Sequence, residues 1–393
     1  MKLSSRITGL TGGEPDGWDL FIRARKMIAD GQKITELTIG EHDIRTHPDI
    51  LEAMHASAAA GNTGYSLVPG SQSLRETIAA RVQARTGIAT TADNVLVTPG
   101  GQSALFATHS AVCDPGDTAL YCAPNYATYP GTIRGVSAIP KVIQTRPEND
   151  FQPQFSEIDA AATGAPGAKS LLVNSPNNPT GVVYSAETMD AIAAACLKHD
   201  LWLISDEVYD TQVWQGTHIS PRTLPDMAER TLVIGSMSKS HAMTGSRIGW
   251  IVGPETAISR LIALAVNTNF GVAGFIQDAA EYALNRGAEF EQLIAAPFPR
   301  RREIARRILA GQNLMQTVPS GGSMYLMLDI RATGLTGNAF ANALLETKKI
   351  AVMPGESYGL AAAGHIRIAM TVEDTAFEAA MIQIVDFAKG FAA

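Results

Sequence analysis

The sequence predicts an α/β fold: a large domain built on a mainly parallel, seven-stranded sheet covered by helices, beside a smaller α+β domain. Three observations carry this. Seven apolar runs lie between residues 94 and 252, and several are apolar almost throughout, as strands covered on both faces must be. Helical stretches separate the runs, and strand–helix alternation of this kind builds parallel sheets through crossover helices. Beyond about residue 285 the texture changes to an Arg-rich helix followed by short alternating runs.

The N-terminal part is helical. Trp18 to Asp30 sets Leu20, Ile22, Met27 and Ile28 among charged residues, with Gly31 as the stop. I-T-E-L-T-I-G, residues 34–40, is extended. Pro48 opens a second helix that ends at Gly61. A third begins near Ser73, where S-L-R-E has capping-box spacing to Glu76, and runs to Gly87. The apolar runs follow as N-V-L-V-T (94–98), T-A-L-Y-C (118–122), A-I-P-K-V-I (138–143), S-L-L-V-N (170–174), L-W-L-I-S (201–205), T-L-V-I-G (231–235) and I-G-W-I-V (248–252). Helices over Gln102–Val112 and Ala186–His199 fall among them. In the last part, Arg300, Arg301, Arg302, Arg306 and Arg307 read as a solvated helix face. S-M-Y-L-M-L-D-I (323–330) reads as a strand, and H-I-R-I-A-M (365–370) as a half-buried one.

Composition excludes several classes. The 393 residues are 46% hydrophobic and 18% charged, the balance of a globular protein with a sizeable core. A formal charge of −7 argues against a nucleic-acid partner. No apolar run reaches the roughly 18 residues of a membrane span, and the N-terminal M-K-L-S-S-R-I-T-G-L lacks the apolar core of a signal peptide. Cys113, Cys122 and Cys196 are too few and too scattered for a disulfide framework or a zinc site. The expectation is a cytoplasmic protein with no metal.

Ligands of α/β sheets bind beyond the carboxyl ends of the strands, and the unusual residues fall there. S-M-S-K-S-H-A-M-T-G-S-R, Ser236 to Arg247, follows one apolar run and precedes another. Lys239 sits there among hydroxyls. A lysine attacks carbonyls when its surroundings favour the neutral amine, and an Arg with hydroxyls suits a phosphate dianion. Lysine plus phosphate clamp suggests pyridoxal phosphate, although a solvated loop would carry the same residues. P-G-G-Q-S-A-L-F (99–106) sets Gly101 and Gln102 at a turn into a helix, where backbone N–H groups attract an anion. Asp206 follows an apolar run and needs a donating partner: a helix cap, a salt bridge, or the N–H of a pyridinium ring. In S-P-N-N-P-T-G (175–181), Pro179 fixes Asn178, whose amide either serves the turn alone or meets a ring hydroxyl or a carboxylate. Tyr126, in P-N-Y-A-T-Y-P (124–130), is either core or a platform for a flat ring. Arg367, on the face opposite Ile366 and Ile368, requires an anion: an internal Asp or Glu, or a substrate carboxylate.

Taken in order, Tyr65, G-G-Q, Tyr126, N-P-T-G, D-E-V-Y, S-x-S-K and the two arginines resemble the fold-type I, class I/II pyridoxal-phosphate aminotransferases over nearly the whole chain. I-S-D-E-V-Y, S-K-S-H-A-M-T-G, F-I-Q-D-A-A and A-G-H-I-R look like the arginine–pyruvate transaminase branch. The resemblance implies an aspartate-aminotransferase-like fold, with residues 45–285 as the large cofactor-binding domain and 1–44 with 286–393 as the small one. It implies that Lys239 is the Schiff-base lysine and later the acid and base of proton transfer. Asp206 would pair with the pyridine nitrogen, Tyr209 and Asn178 with the 3′-oxygen, and Tyr126 would stack on the ring. Phosphate would fall to Gly101, Gln102, Ser236, Ser238 and Arg247, and to Tyr65 from the neighbouring subunit of a homodimer. Gly40, Asn178 and Arg367 would bind the substrate carboxylate. The implied reaction is a ping-pong exchange of an α-amino group between an amino acid and a 2-oxo acid, pyruvate or 2-oxoglutarate.

Two residues depart from the family pattern, Ser246 and Met237, the latter lying harmlessly between the serines before Lys239. Ser246 stands beside Arg247 where the family commonly has a large aromatic. V-N-T-N-F-G-V-A-G (266–274) has no Arg to pair a dicarboxylic substrate, which weakens the case for aspartate. Glu14, Asp16, Glu41 and Asp43 either meet a basic substrate or face solvent. Two other readings stay open. One is a C–S β-lyase of the same fold, although such relatives often carry His at the position of Tyr209. The other is a non-catalytic pyridoxal-phosphate-binding regulatory domain, for which residues 1–40 are too short and too weakly basic to be a DNA-binding module.

Overall fold

The computed structural model describes residues 1–13 and 18–391, so the expectation for Glu14 and Asp16 lies outside the described residues. Among those residues twelve strands form two sheets. β1 (Thr35–Leu37) belongs to the smaller. The larger takes all seven predicted runs: β2 (Val95–Thr98), β3 (Thr118–Ala123), β4 (Ile139–Gln144), β5 (Ala168–Asn174), β6 (Trp202–Asp206), β7 (Thr231–Ser236) and β8 (Gly249–Val252). Their order is β2-β8-β7-β6-β5-β3-β4. β8 runs antiparallel to both neighbours, and every other pairing is parallel.

Strand alternation divides the core between two helical layers. Leu96, Leu232, Ile234 and Ile251 pack with Leu105 and Leu261 on one side. Val97, Val233 and Trp250 pack with Leu74 and Ile78 on the other. Burial on both sides explains why these runs are apolar almost throughout, each buried large apolar side chain contributing roughly 1.5–3 kcal/mol. The mainly parallel α/β architecture read from the sequence is therefore borne out.

The smaller sheet has the order β1-β11-β12-β10-β9, with β9 (Gln316–Thr317), β10 (Tyr325–Asp329), β11 (Ile350–Pro354) and β12 (His365–Ala369) from the last part of the chain. β1 pairs parallel with β11, which sets the segment after it, Thr38 to Gly40, against the carboxyl ends of the large sheet. β12 is buried on both faces and not half-buried. Ile366 and Ile368 pack with Phe377 and Met381 of the helix Asp374–Lys389. Arg367 points the other way, in register with Met327 and Met353.

Two further expectations change. The helix Gln72–Thr86 is capped by Ser71, whose Oγ accepts from the Leu74 N–H at 3.3 Å; Ser73 instead donates to Glu281 at 2.6 Å. The start moves forward because Gly70, at φ +106°, turns the chain just before it. Arg300, Arg306 and Arg307 of the helix Pro297–Leu309 are exposed, whereas Arg301 is only 3% exposed, on the inner stripe with Phe298 and Ala305. Its guanidinium forks onto Asp43 at 2.9 and 2.6 Å, bonds Asp374 at 2.8 Å, and donates to the Met370 carbonyl at 2.9 Å. Asp43 is thereby committed to an internal ion pair, neither open to a substrate nor free in solvent. This cluster ties the Gly40–Asp43 segment to the C-terminal sheet.

Removing one partner from a buried pair leaves the other charge uncompensated. Arg301→Met should therefore destabilise the protein by roughly 2–4 kcal/mol, whereas disrupting the exposed, solvent-screened Arg306–Glu303 pair should cost far less. Urea denaturation followed by circular dichroism would read the difference, and equal losses would contradict it.

Candidate active site

The carboxyl ends of β5, β6 and β7 open into a cavity of about 310 Å³, lined from the other side by Gly40, Tyr325 and Arg367. Most of the sequence-predicted residues meet here. Tyr65 is the exception: it is 93% exposed, lies edge-on to Phe270, and is outside this cavity.

Asp206, the last residue of β6, is fully enclosed. Its Oδ2 accepts from the Tyr129 hydroxyl at 2.7 Å and its Oδ1 from the Val208 N–H at 3.3 Å. Burial raises its carboxyl to about 6, because desolvation of the charged form outweighs both hydrogen bonds. A carboxylate held this far above its usual range gains from a cationic N–H placed against it. Tyr129, which the sequence reading missed, is the second Tyr of P-N-Y-A-T-Y-P and opens the helix Tyr129–Gly135. Tyr126 meets its ring edge-on at 5.7 Å and lines the cavity.

Asn178 is set by a short chain of amides. Asn174 ends β5 and donates to the Asp206 carbonyl at 2.8 Å, while its Oδ1 accepts the Asn178 N–H at 2.7 Å. Within the turn, Asn177 accepts from both Thr180 N–H and Thr180 hydroxyl. The Asn178 side chain is thus held toward the cavity, where its Oδ1 accepts from Arg367 at 2.8 Å. Tyr209 places its hydroxyl 3.1 Å from that of Tyr325.

Lys239 rides on a single helical turn, Met237–Ser240, capped by Ser236, whose Oγ accepts from the Ser238 N–H at 3.2 Å. Its Nζ donates to the Gly40 carbonyl. Burial lowers the ammonium pKa, which favours the neutral, nucleophilic amine. Gly40 must be a glycine here, since a Cβ would overlap the Tyr325 hydroxyl.

The helix Gly100–Val112 starts without a side-chain cap, so the N–H groups of its first turn remain for a ligand. Gly100, at φ +79°, lies against the Arg247 guanidinium, in space that a Cβ would take. Arg247 is itself left-handed, at φ +50°, and donates to the Thr244 carbonyl at 2.9 Å. Ser236, Ser238 and Gly101 complete a polar cradle around this end of the cavity. The side chain of Gln102 is engaged by Thr128 and Thr132, at 3.0 and 2.9 Å, while Gln102 lines the cavity.

Arg367 is buried without a carboxylate partner among the described residues. It donates to Asn178 and to the Thr38 carbonyl, and lies between the rings of Tyr325 and Tyr358. Among the described residues, the internal Asp or Glu that the sequence left open as its partner is not there. Glu41 lines the cavity mouth and accepts from Thr244 at 3.0 Å.

An amine with a lowered pKa, a buried carboxylate that favours a cationic ring nitrogen, and a polar cradle with an arginine and free helix N–H groups in the same cavity fit pyridoxal phosphate. Such a site on this fold defines an enzyme of amino-group chemistry. Residues 32–384 match the family model for aminotransferase class I and II, and the chain belongs to that family, whose members depend on pyridoxal phosphate. It is 38% identical to the arginine–pyruvate transaminase AruH of Pseudomonas aeruginosa, over 95% of this chain and 94% of that protein. It is 33% identical to the aspartate/prephenate aminotransferase of Thermus thermophilus, covering 90% of each. Among solved structures, aspartate aminotransferase from Thermus thermophilus with maleate superposes with a TM-score of 0.91 at 30% identity, over 98% of this chain and all of that one (100%). The family read from the motifs is borne out, and so is the likeness to the arginine–pyruvate transaminase branch.

The raised Asp206 pKa has a consequence for the cofactor-free protein. The folded state holds that proton more tightly than the unfolded state, so this group's contribution to stability falls as pH rises from about 4 to about 6. Asp206→Asn should remove the penalty and stabilise the cofactor-free protein at pH 7, by up to about 3 kcal/mol, while weakening cofactor binding. Thermal denaturation of both cofactor-free proteins at pH 4 and pH 7 would test this; a variant less stable than the parent at pH 7 would contradict it.

Proposed function

We propose that this aminotransferase moves the α-amino group of a cationic or neutral amino acid, arginine foremost, to a small 2-oxo acid of the pyruvate kind. The charge inventory of the cavity carries the reading. Three basic side chains line it: Lys239, Arg247 and Arg367. With Lys239 given to proton transfer, Arg247 to the cofactor phosphate and Arg367 to the α-carboxylate, no cation among the described residues is left for a second carboxylate. Glu41, at the mouth, instead suits a guanidinium or ammonium. The resemblance to the arginine–pyruvate transaminase AruH supports the same choice.

Pyridoxal phosphate, when bound, supplies the carbonyl that takes up the amino group and the ring that accepts electrons from Cα. Asp206 would hold the ring nitrogen protonated, and Tyr209 with Asn178 would donate to the 3′-oxygen. Tyr126 would cover one ring face. The N–H groups at Gly101 and Gln102 would hold the phosphate together with Ser236, Ser238 and Arg247. Arg367, Asn178 and the backbone at Gly40 would bind the substrate carboxylate, leaving the Cα hydrogen to Lys239 Nζ, which moves the proton in each of two half-reactions. Tyr65 would complete the phosphate site of a neighbouring copy, its exposure in a single chain supporting a homodimer. Three free, buried cysteines accord with a reducing cytoplasm. The β-lyase reading finds less support, because the similar proteins carry aminotransferase names.

Arginine with pyruvate should outperform aspartate with 2-oxoglutarate in a donor–acceptor screen. Glu41→Gln should raise KM for arginine roughly ten-fold while leaving KM for alanine unchanged. Faster turnover of aspartate than of arginine would overturn the substrate assignment. Sustained pyruvate and ammonia release from an amino acid without any oxo acid would replace transfer by elimination.

A further inference from the structure

The geometry points to Tyr358, together with Tyr325, as an aromatic clamp that positions Arg367 and so restricts the enzyme to amines carrying an adjacent carboxylate. This rests on the reading of Arg367 as the carboxylate-binding residue.

The guanidinium carbon of Arg367 lies 4.1 Å from the Tyr325 ring centroid and 4.7 Å from that of Tyr358. Every other arginine that stacks on an aromatic among the described residues meets one ring. In its own plane, Arg367 donates to the amide oxygen of Asn178 and to the Thr38 carbonyl. All these partners are neutral. A buried guanidinium needs compensation for its lost hydration, and an Asp or Glu would give it most strongly. Such a carboxylate would also compete with the substrate for the same fork. Ring faces and neutral oxygens hold the cation in place and leave its charge for an incoming anion.

The contrast with Arg301 shows what the alternative looks like. That residue is held in the plane by two carboxylates and has no charge to offer. Arg367 stacked on two faces cannot swing aside without leaving both rings. An amine with no adjacent carboxylate would then face an unpaired buried cation where its carboxylate should be. For a diamino acid, the same constraint selects the α-nitrogen over the terminal one.

Tyr358 is the residue on which to test this. Tyr325 also bonds Tyr209 and closes against Gly40, so its removal disturbs three contacts. Tyr358 is 2% exposed and packs in a core cluster with Met353 and Ala362; its backbone carbonyl accepts from the Asn125 N–H at 3.0 Å, and substitution by Leu or Met keeps an apolar side chain in that cluster. Removing its ring leaves the amide and phosphate contacts in place.

The experiment compares the first half-reaction of the holoenzyme with L-alanine and with ethylamine, which is alanine without its carboxylate, followed by the cofactor absorption change. Tyr358→Leu should lower the alanine-to-ethylamine ratio of kcat/KM at least roughly ten-fold, through KM for alanine, with the ethylamine rate unchanged. Tyr358→Phe, which keeps the ring, should hold the parent ratio. If the Leu variant does not fold, Tyr358→Met reads the same ratio. An unaltered ratio, or equal losses on both amines, would overturn the clamp. Arg367→Ala separates the two claims: if it leaves the ratio intact, the carboxylate assignment fails; if it collapses the ratio while Tyr358→Leu does not, only the clamp fails.

Discussion

A carboxylate buried at the end of a parallel strand sets the layout of this protein's site. Asp206 is buried against the cavity, and its burial alone would push it toward neutrality. Two donors hold it partly charged, and each is placed by the fold. The Tyr129 hydroxyl comes from the start of the helix after β3, and the Val208 N–H from the turn after β6. The same strand end organises Asn178. Asn174 and Asp206 are paired in register between β5 and β6, so the Asn174 amide reaches the Asp206 carbonyl on one side and the Asn178 N–H on the other. A slip of one residue would turn these side chains to the opposite face of the sheet and break the chain of amides.

The second sheet supplies what the first cannot. Parallel strands converge their carboxyl ends on one edge, which builds only one wall of a cavity. The opposite wall comes from Gly40, Tyr325 and Arg367, and its position depends on how the N-terminal strand joins the C-terminal ones. The Arg301–Asp43–Asp374 cluster fastens that join with matched charges. Arg367, in the cavity wall, has neutral partners instead. Two buried arginines in one chain thus receive opposite treatments: one is neutralised to hold structure, the other is left electrostatically open.

Much of this was legible in the residues. The seven strands of the large sheet were each visible as a mainly apolar run; for the inner strands this is because burial on both faces is a local demand on every residue, whereas the edge strand β4 is largely open. Lys239, Asp206 and Asn178 stood out as polar residues in the segments after such runs, and Arg247 as a charge just before one, where polar groups need partners. Tyr129, Asn174, Tyr325 and Tyr358 did not stand out. An uncharged Tyr or Asn raises no local conflict in a sequence, and its partner is known only once the chain is folded.

Sequence alone determined the architecture and the family: periodicity settles which segments are strands and helices, and the motifs place the chain among the class I and II aminotransferases. Tertiary structure decided the partners. Arg301 meets Asp43 across 258 residues, Arg367 meets Asn178 across 189, and Lys239 meets Gly40 across 199. Pairings at such separations leave no periodic trace in the chain. They follow from sheet order and register, which bring distant residues within the few ångströms over which hydrogen bonds and ring contacts act.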